Sequence, residues 1–231
     1  VLEYLYTIAN SNYEEWRRDN PASPMSDFDF QFKHMSKTGA LFDLAKLTDI
    51  SKTYISTLSA DEVLKSTLTW AQEYNTDFYN TLSQDKDFAK SIFAIERGNE
   101  KPRKDIAKWS DTVEYTKYFY VRPTDLEYPE NQAKEDIKAI LEKYKSVYNP
   151  NDTQEEWFGR IREMSEELGY AKAPKFYKKD PDSFKGHVGD VSTILRIAVT
   201  GRRNTPDLHQ ILAVLGETEV QNRLDAAIAA L

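Results

Sequence analysis

Three arginines near the carboxyl end of the sequence are the residues best suited to chemistry, and that chemistry is ligand binding. Arg196 stands in an apolar segment, and Arg202 and Arg203 follow the glycine after it. A guanidinium offers five N–H donors in a planar fork, which suits phosphates and base edges and stacks on flat rings. The group therefore indicates a site for an anionic ligand. A solvated basic turn between two helices would show the same residues, so composition alone leaves both interpretations open.

Two predicted helices position these arginines. Apolar residues recur every three to four positions from Val188 to Val199, which predicts a helix with one buried side. At about 100° per residue, Arg196 falls just off that side, next to Ser192, so its stem can pack while its guanidinium reaches a ligand. Gly201 is predicted to end this helix.

The following helix is predicted to start at Thr205, as N-cap, with Pro206 at the first helical position. Its apolar stripe consists of Leu208, Ile211, Leu212 and Leu215. Gly216 is predicted to end it, and Thr218 with Gln221 has the spacing of a capping box for a last helix. The sequence therefore predicts a basic loop held between two short helices.

Charge is distributed unevenly along the chain. The 231 residues contain 31 basic and 38 acidic side chains, which gives a net charge of -7. Residues 171–203 depart from this balance, with eight Lys or Arg against three Asp. Part of the excess lies in residues 172–185, which Pro174 and Pro181 interrupt and which we predict to be a linker. A local basic excess on an acidic protein is typical of a surface that contacts a polyanion.

Other kinds of site are not indicated. The chain has no cysteine, and His34, His187 and His209 are far apart in sequence, so we expect no structural metal site. The eight glycines form no phosphate-binding loop, and no serine lies in a nucleophile-elbow pattern, so we expect no catalytic residue and no cofactor in this chain. No run of about eighteen apolar residues and no signal-peptide pattern occurs, which favours a cytoplasmic protein without membrane association.

The rest of the sequence is predicted to be mostly helical. Predicted helices cover residues 1–9, 13–18, 59–74, about 85–96, 133–148 and 154–168. Capping boxes that begin at Ser59 and Thr153 mark two of the helix starts. Phe28 to Phe32 alternates strictly between apolar and polar residues, which fits either a short strand or an aromatic loop. The predicted fold class is therefore all-α, with at most a short strand near 28–32.

A further helix is predicted to begin at Lys101 and to continue through Trp109, with basic residues in its first turn. Lys101, Arg103 and Lys104 would then stand beside backbone N–H groups that have no helical partner, an arrangement that can hold phosphates. A solvated charge run is the alternative interpretation for each of the three.

Several motifs are similar to one known family. Leu195 to Gly201 (LRIAVTG), Thr205 to Leu208 (TPDL) and Leu215 to Glu217 (LGE) resemble the last helices of bacterial glutamyl-tRNA synthetases. Ser36 to Leu47 (SKTGALFDLAKL) and Lys101 to Trp109 (KPRKDIAKW) resemble earlier parts of the same enzymes, so the likeness extends over essentially the entire chain. The resemblance implies the C-terminal part of a glutamate–tRNA ligase, in which helical bundles form an anticodon-binding cage.

The resemblance also implies a domain organisation and partners. Residues 1–58 would end the stem-contact region, and residues 59–121 and 122–231 would form two anticodon-binding subdomains. The partners would be tRNA-Glu and a catalytic domain, absent from this sequence, that uses ATP and Mg²⁺. We expect a monomer, and we predict that this chain alone is inactive as an enzyme.

One short segment is similar to a catalytic motif of class I synthetases. His34 to Thr38 resembles the loop by which these enzymes hold the phosphates of ATP. That loop closes a nucleotide-binding α/β domain, whereas only 33 residues precede this segment and they show no βαβ pattern. We therefore interpret it as a surface loop.

For the site itself, the resemblance implies that Arg196 and the turn Thr205 to Leu208 contact the second and third anticodon bases. Thr205 would use its hydroxyl, and Pro206 and Leu208 would form an apolar wall. Arg103 is the candidate reader of the first base. The candidates for contact with the tRNA backbone are Lys101, Lys104, Arg202 and Arg203. The alternative function is a helical scaffold that docks a partner protein through residues 205–216, which the net negative charge would suit better.

Overall fold

The protein is built from α-helices and irregular connections, in a computed structural model that describes residues 1–21, 23–35, 39 and 41–231. The described residues form thirteen α-helices and no strand, and their β pairing is limited to one isolated bridge between Ala171 and His187. The prediction of an all-α fold is confirmed. Ser36, Lys37, Thr38 and Ala40, which belong to two of the motifs described above, lie outside the described residues.

The chain divides into two compact units, Val1–Tyr115 and Thr116–Leu231. The first contains α1 (Leu2–Ala9), α2 (Tyr13–Asp19), the 3-10 helices Met25–Asp27 and Phe32–His34, α3 (Leu44–Thr57), α4 (Ala60–Tyr74), α5 (Thr76–Gln84) and α6 (Lys86–Ala94). Helix α7 (Asp111–Tyr120) crosses the boundary. The second contains α8 (Lys134–Val147), α9 (Gln154–Glu167), α10 (Pro174–Lys179), the 3-10 helix Pro181–Ser183, α11 (Val188–Thr200), α12 (Leu208–Leu215) and α13 (Glu217–Ala229). The predicted division into residues 1–58, 59–121 and 122–231 stays a prediction.

The aromatic segment from Phe28 to Phe32 forms no strand. Residues 28–31 are a loop between the two 3-10 helices of the first unit, and Phe32 begins the second of them. The ring of Phe28 meets Tyr13 edge to face at 4.9 Å between centroids, and Phe30 meets Tyr6 in the same way at 5.7 Å. The alternation therefore places aromatic rings against α1 and α2, and edge-to-face packing stabilises the segment without strand pairing.

The prediction of a helix from Lys101 to Trp109 is wrong. Residues 101–110 are irregular, and α7 begins at Asp111. The Asp111 carboxylate accepts hydrogen bonds from the backbone N–H groups of Ala107 and Lys108, at 3.0 and 3.1 Å, just before the helix. Pro102 also disfavours the helical conformation at Lys101. Lys101, Arg103 and Lys104 therefore do not stand at a helix start, and the argument for phosphate binding at such a start does not apply to them.

The second unit is organised around α11. This helix packs against α8, α9 and α13, and eight of its residues are buried. Val191, Ile194 and Leu195 have no exposed surface, as their predicted place on the apolar side requires. The predicted helix is confirmed, and it ends at Thr200, one residue later than the apolar pattern.

Two of the four predicted N-caps are confirmed. Ser59 and Thr153 form complete capping boxes at the starts of α4 and α9. Helix α13 begins instead at Glu217, directly after Gly216, and no side chain caps it, so the box predicted at Thr218 is wrong. Helix α12 begins at Leu208, where the Asp207 carboxylate accepts from the N–H of Gln210 at 2.9 Å, so Thr205 is not its N-cap.

We expect Thr153→Ala to lower the free energy of unfolding by about 1 kcal/mol, because it removes the acceptor for the N–H of Glu156 at the start of α9. The matched control is Thr218→Ala, which removes a hydroxyl from an exposed residue of α13 that makes no cap. We expect the control to change stability by less than about 0.5 kcal/mol. Urea unfolding followed by circular dichroism measures both, and equal losses would contradict the assignment of the caps.

Candidate nucleic-acid interface

The guanidinium of Arg196 lies against the turn that follows α11. Its Nη1 atom donates to the carbonyl oxygen of Pro206 at 2.7 Å and to that of Thr205 at 3.3 Å, and it also contacts the Thr205 hydroxyl. Arg196 is half-buried. The structure therefore brings together Arg196 and the Thr-Pro turn, which the sequence analysis placed in one site.

The end of α11 fixes where the basic loop begins. Gly201 has φ of +69° and donates from its N–H to the carbonyl of Ile197 at 2.8 Å, which confirms it as the residue that ends the helix. The hydroxyl of Thr200 donates to the carbonyl of Arg196 at 2.7 Å and accepts from the N–H of Arg202 at 3.2 Å. Side-chain and backbone groups thus satisfy the helix end, and they set the direction of the loop that carries Arg202.

The turn itself presents little side-chain surface. Thr205 is 6% exposed and Leu208 is 2% exposed, and Pro206 is also buried. The Thr205 hydroxyl lies 2.9 Å from the carbonyl of Pro206 and in contact with Arg196. The burial favours a positioning role for these three residues, because they shape the turn from inside, and it argues against an open apolar wall of Pro206 and Leu208.

The two arginines of the loop lie at different depths. The guanidinium carbon of half-buried Arg202 lies 5.3 Å from the centre of the Tyr118 ring, a cation–π distance. Arg203 is exposed, and its Nη2 atom lies 3.4 Å from the carbonyl oxygen of Glu127 and 3.5 Å from that of Tyr128. Both side chains therefore extend from the loop toward residues 118–128.

Residues at the start of α9 hold the start of α12, and the sequence analysis missed them. Gln154 donates from Nε2 to the Asp207 carboxylate at 2.9 Å, and Nε2 of His209 lies 2.8 Å from the carbonyl oxygen of Asp152. The Arg160 guanidinium pairs with the Asp152 carboxylate at 2.5 Å and lowers the pKa of that carboxyl. Gln154 and Asp207 are 53 residues apart in sequence, and Asp152 and His209 are 57 apart, so no local sequence pattern predicts these two contacts.

Arg103 belongs to the first unit and is paired with acidic groups. Its Nε and Nη2 atoms bind the Asp105 carboxylate at 2.7 and 3.1 Å, and Nε lies 3.8 Å from the Glu96 carboxylate. The hydrogen bond to Asp105 raises the pKa of Arg103. Lys101 and Lys104, on either side, are exposed. The assignment of Arg103 to the first anticodon base stays a prediction, now without a helix start to support it.

The predicted basic linker contains a short helix, α10, and only part of its charge is paired. Lys172 pairs with Glu166 at 3.1 Å, and Lys185 pairs with Asp136 at 2.6 Å. The remaining lysines of this segment are exposed on α10, and they are Lys175, Lys178 and Lys179. The local positive charge of the segment is therefore concentrated on α10.

The part of the chain that the structure describes contains no group of three His, Cys, Asp or Glu side chains placed to hold a metal ion. Among the same residues, no helix combines the length and apolar character that crossing a membrane requires.

Comparison with known proteins shows which family this chain resembles. Residues 182–228, which include Arg196, the basic loop and α12, match the family described as "Anticodon binding domain". The chain is 46% identical over 227 residues to a glutamate–tRNA ligase of Acetivibrio thermocellus, and this match covers 97% of the chain and 41% of the relative. A glutamate–tRNA ligase of Clostridium perfringens is 40% identical over 230 residues, covering 97% of the chain and 42% of the relative.

A solved structure is similar as well. The crystal structure of a glutamate tRNA ligase from Elizabethkingia meningosepticum matches with a TM-score of 0.56 and 17% identity, over 87% of this chain and 35% of that one. At this identity the likeness concerns the fold alone. The sequence matches, by contrast, extend over nearly the whole chain, although the chain spans only about two fifths of the length of these relatives. The chain therefore belongs to the glutamate–tRNA ligase family, and it corresponds to the helical part of these enzymes that contains the anticodon-binding domain.

Proposed function

We propose that this chain binds tRNA-Glu and recognises its anticodon, as the carboxyl-terminal part of a glutamate–tRNA ligase. One observation carries the proposal: the region that matches the anticodon-binding domain family contains Arg196, the basic loop and α12, and the structure holds these together. Three arginines in or beside one turn supply planar donors for base edges and phosphates.

In this proposal Arg196 and the turn from Thr205 to Leu208 act as one unit on the second and third anticodon bases. Arg196 contacts the bases, while the buried side chains of Thr205, Pro206 and Leu208 fix the shape of the turn. Arg202 and Arg203 contact the tRNA backbone, together with Lys101 and Lys104 of the first unit. Arg103 contacts the first base.

The rest of the reaction lies in sequence that this chain does not contain. The relatives it matches are more than twice as long as the matched part. We assign to that remainder the ATP- and Mg²⁺-dependent attachment of glutamate to tRNA, and we propose that the present chain delivers the correct tRNA to it as part of one cytoplasmic, monomeric enzyme. The purified chain should accordingly show no glutamate-dependent exchange of pyrophosphate into ATP.

Titration of a fluorescently labelled anticodon stem-loop of tRNA-Glu tests the proposal. We expect the cognate loop to bind more tightly than a loop with its second and third anticodon bases replaced, by about 1 to 3 kcal/mol for each base that is read. The logarithm of the binding constant should fall linearly with the logarithm of salt concentration, with a slope of about 0.7 to 0.9 for each phosphate neutralised.

Two outcomes would contradict the proposal in different ways. Equal affinity for the cognate and the replaced loop would mean that the chain binds RNA without reading the anticodon. Failure to bind either loop at low and at moderate salt would favour the scaffold function, to which the net charge of -7 is better suited.

A further inference from the structure

A fourth arginine, Arg223 of α13, is almost completely buried beneath the basic loop. Its exposed fraction is 2%. Removal from water lowers the pKa of Arg223, and the neighbouring Glu219 carboxylate opposes this effect. A guanidinium is costly to bury unless its donors and its charge find partners. The position of those partners therefore indicates what the residue does.

The partners of Arg223 lie at the end of α11 and on its own helix. Its Nη1 atom donates to the carbonyl oxygen of Val199 at 2.7 Å, and its Nε atom donates to the Glu219 carboxylate at 2.8 Å. Val199 lies in the last turn of α11, where carbonyl groups lose their helical partners because the chain turns away at Gly201. Arg223 thus caps the helix from which the basic loop departs.

Glu219 balances the charge of Arg223 and joins it to a second segment. Its carboxylate also accepts from Nε and Nη2 of Arg122, at 2.8 and 2.5 Å. Arg122 is the largest cause, and Arg223 a further cause, of the fall in the pKa of Glu219 to about 2. The carboxylate is therefore ionised at neutral pH.

The segment after Arg122 closes against the start of the loop. Pro123 packs on Gly201 so closely that a Cβ atom added to the glycine would lie 2.7 Å from the Cβ of the proline. The start of the loop is therefore enclosed on two sides. On one side lies Val199, whose carbonyl Arg223 holds, and on the other lies Pro123, the residue after Arg122. The end of the loop is held by Arg196, through its bonds to Thr205 and Pro206.

We propose that Arg223 is a positioning residue, which fixes the end of α11 and thereby preforms the loop 201–207 for anticodon binding. It acts through the loop, because a side chain that is 2% exposed has almost no surface with which to touch RNA. A loop held in its binding conformation loses less conformational entropy when the ligand arrives, which raises affinity. The inference rests on the proposed function for its ligand, but the preformed loop is a property of the free protein.

The test compares Arg223→Met with a control of similar stability cost, Ile140→Ala, which opens a cavity at a fully buried position of α8. Hydrogen exchange of the Gly201 and Arg202 amides is measured first, without RNA, at a temperature at which circular dichroism shows both variants folded. We expect exchange to become about tenfold faster or more in Arg223→Met than in Ile140→Ala, because only the former releases the loop.

Binding of the anticodon stem-loop is measured next. We expect Arg223→Met to raise the Kd about tenfold and to reduce discrimination between the cognate and the replaced loop, because the released loop must be ordered again when the RNA binds. Arg223→Lys, which keeps the charge, should recover part of the discrimination. If Arg223→Met does not fold, Arg122→Gln at an exposed position replaces it and should accelerate exchange at Gly201 by a smaller factor.

Two results would overturn the inference. Equal amide exchange in Arg223→Met and Ile140→Ala would show that the loop does not depend on Arg223, and faster exchange with unchanged affinity and discrimination would show that the order of the loop does not affect binding. A wild-type chain that binds no RNA would instead refute the proposed function, and the exchange measurement would still decide whether Arg223 orders the loop.

Discussion

Arg196→Ala is expected to weaken binding of the anticodon stem-loop by about 1 to 3 kcal/mol, roughly 5- to 150-fold. The variant loses the planar fork that we propose contacts the bases, and it also loses the bonds by which Nη1 holds the carbonyls of Thr205 and Pro206. Both losses act on one turn, so their effects should not simply add. Fluorescence anisotropy with the labelled stem-loop at fixed salt measures the change.

Two controls separate the components of this effect. Lys65→Ala removes one positive charge from an exposed position of α4 and should change the affinity far less. Arg196→Lys keeps the charge but not the fork, so it should recover little of the base discrimination, because an ammonium group cannot make the same paired contacts. If Arg196→Ala weakened binding no more than Lys65→Ala, Arg196 would not be part of the site.

Elements whose signal lies within a few consecutive residues were predicted well from the sequence. The apolar period of α11 and the glycine after it locate that helix within a residue, since the helix is buried on the side that the period defines. The capping boxes at Ser59 and Thr153 are also local, because donor and acceptor are three residues apart. In these cases the tertiary structure agrees with the local preference.

The wrong predictions arise where a contact distant in sequence competes for the same group. Thr205 has the local signature of an N-cap, yet its hydroxyl lies against the guanidinium of Arg196, and α12 starts three residues later, capped by Asp207. Asp207 is held in turn by Gln154 from α9. A single sequence does not show which of several competent caps a neighbouring helix will select.

In the candidate site, too, the contacts that are local in sequence were predicted and those that are distant in sequence were not. The proximity of Arg196 to the Thr-Pro turn follows from one helix and one short loop, so the motif and its resemblance were sufficient to predict it. The burial of Thr205 and the partners of Arg223 depend on how α8, α9 and α13 pack around α11, which no spacing in the sequence encodes. The sequence therefore indicated Arg196, which holds the turn from within the motif, but not Gln154 and Arg223, which hold the site from distant helices.

Gly201→Ala is expected to lower the free energy of unfolding of the second unit by about 2 to 4 kcal/mol. About 1 to 2 kcal/mol comes from placing a Cβ on a residue at φ of +69°. The rest, about 1 to 2 kcal/mol, comes from contact of that Cβ with Pro123, at 2.7 Å, which forces the loop and the segment after Arg122 apart. Urea unfolding followed by circular dichroism measures the loss.

Two further variants show whether the cost of the left-handed backbone and the cost of the contact with Pro123 are separate. Gly159→Ala places a methyl group in α9 where nothing lies within 4 Å, so it should stabilise the protein by about 0.5 to 1 kcal/mol through the lower helix propensity of glycine. Gly201→Asn tolerates the left-handed conformation better than alanine but keeps the contact with Pro123, so its loss should be smaller than that of Gly201→Ala and still clearly above zero. Equal losses of unfolding free energy for asparagine and alanine would mean that the contact with Pro123 dominates. No loss for asparagine would mean that the segment with Pro123 moves aside and that the loop is less tightly enclosed than its contacts indicate. Since a displaced loop also moves Arg202 and Arg203, the stability order of the wild type and the two Gly201 variants should recur as their order of affinity for the anticodon stem-loop.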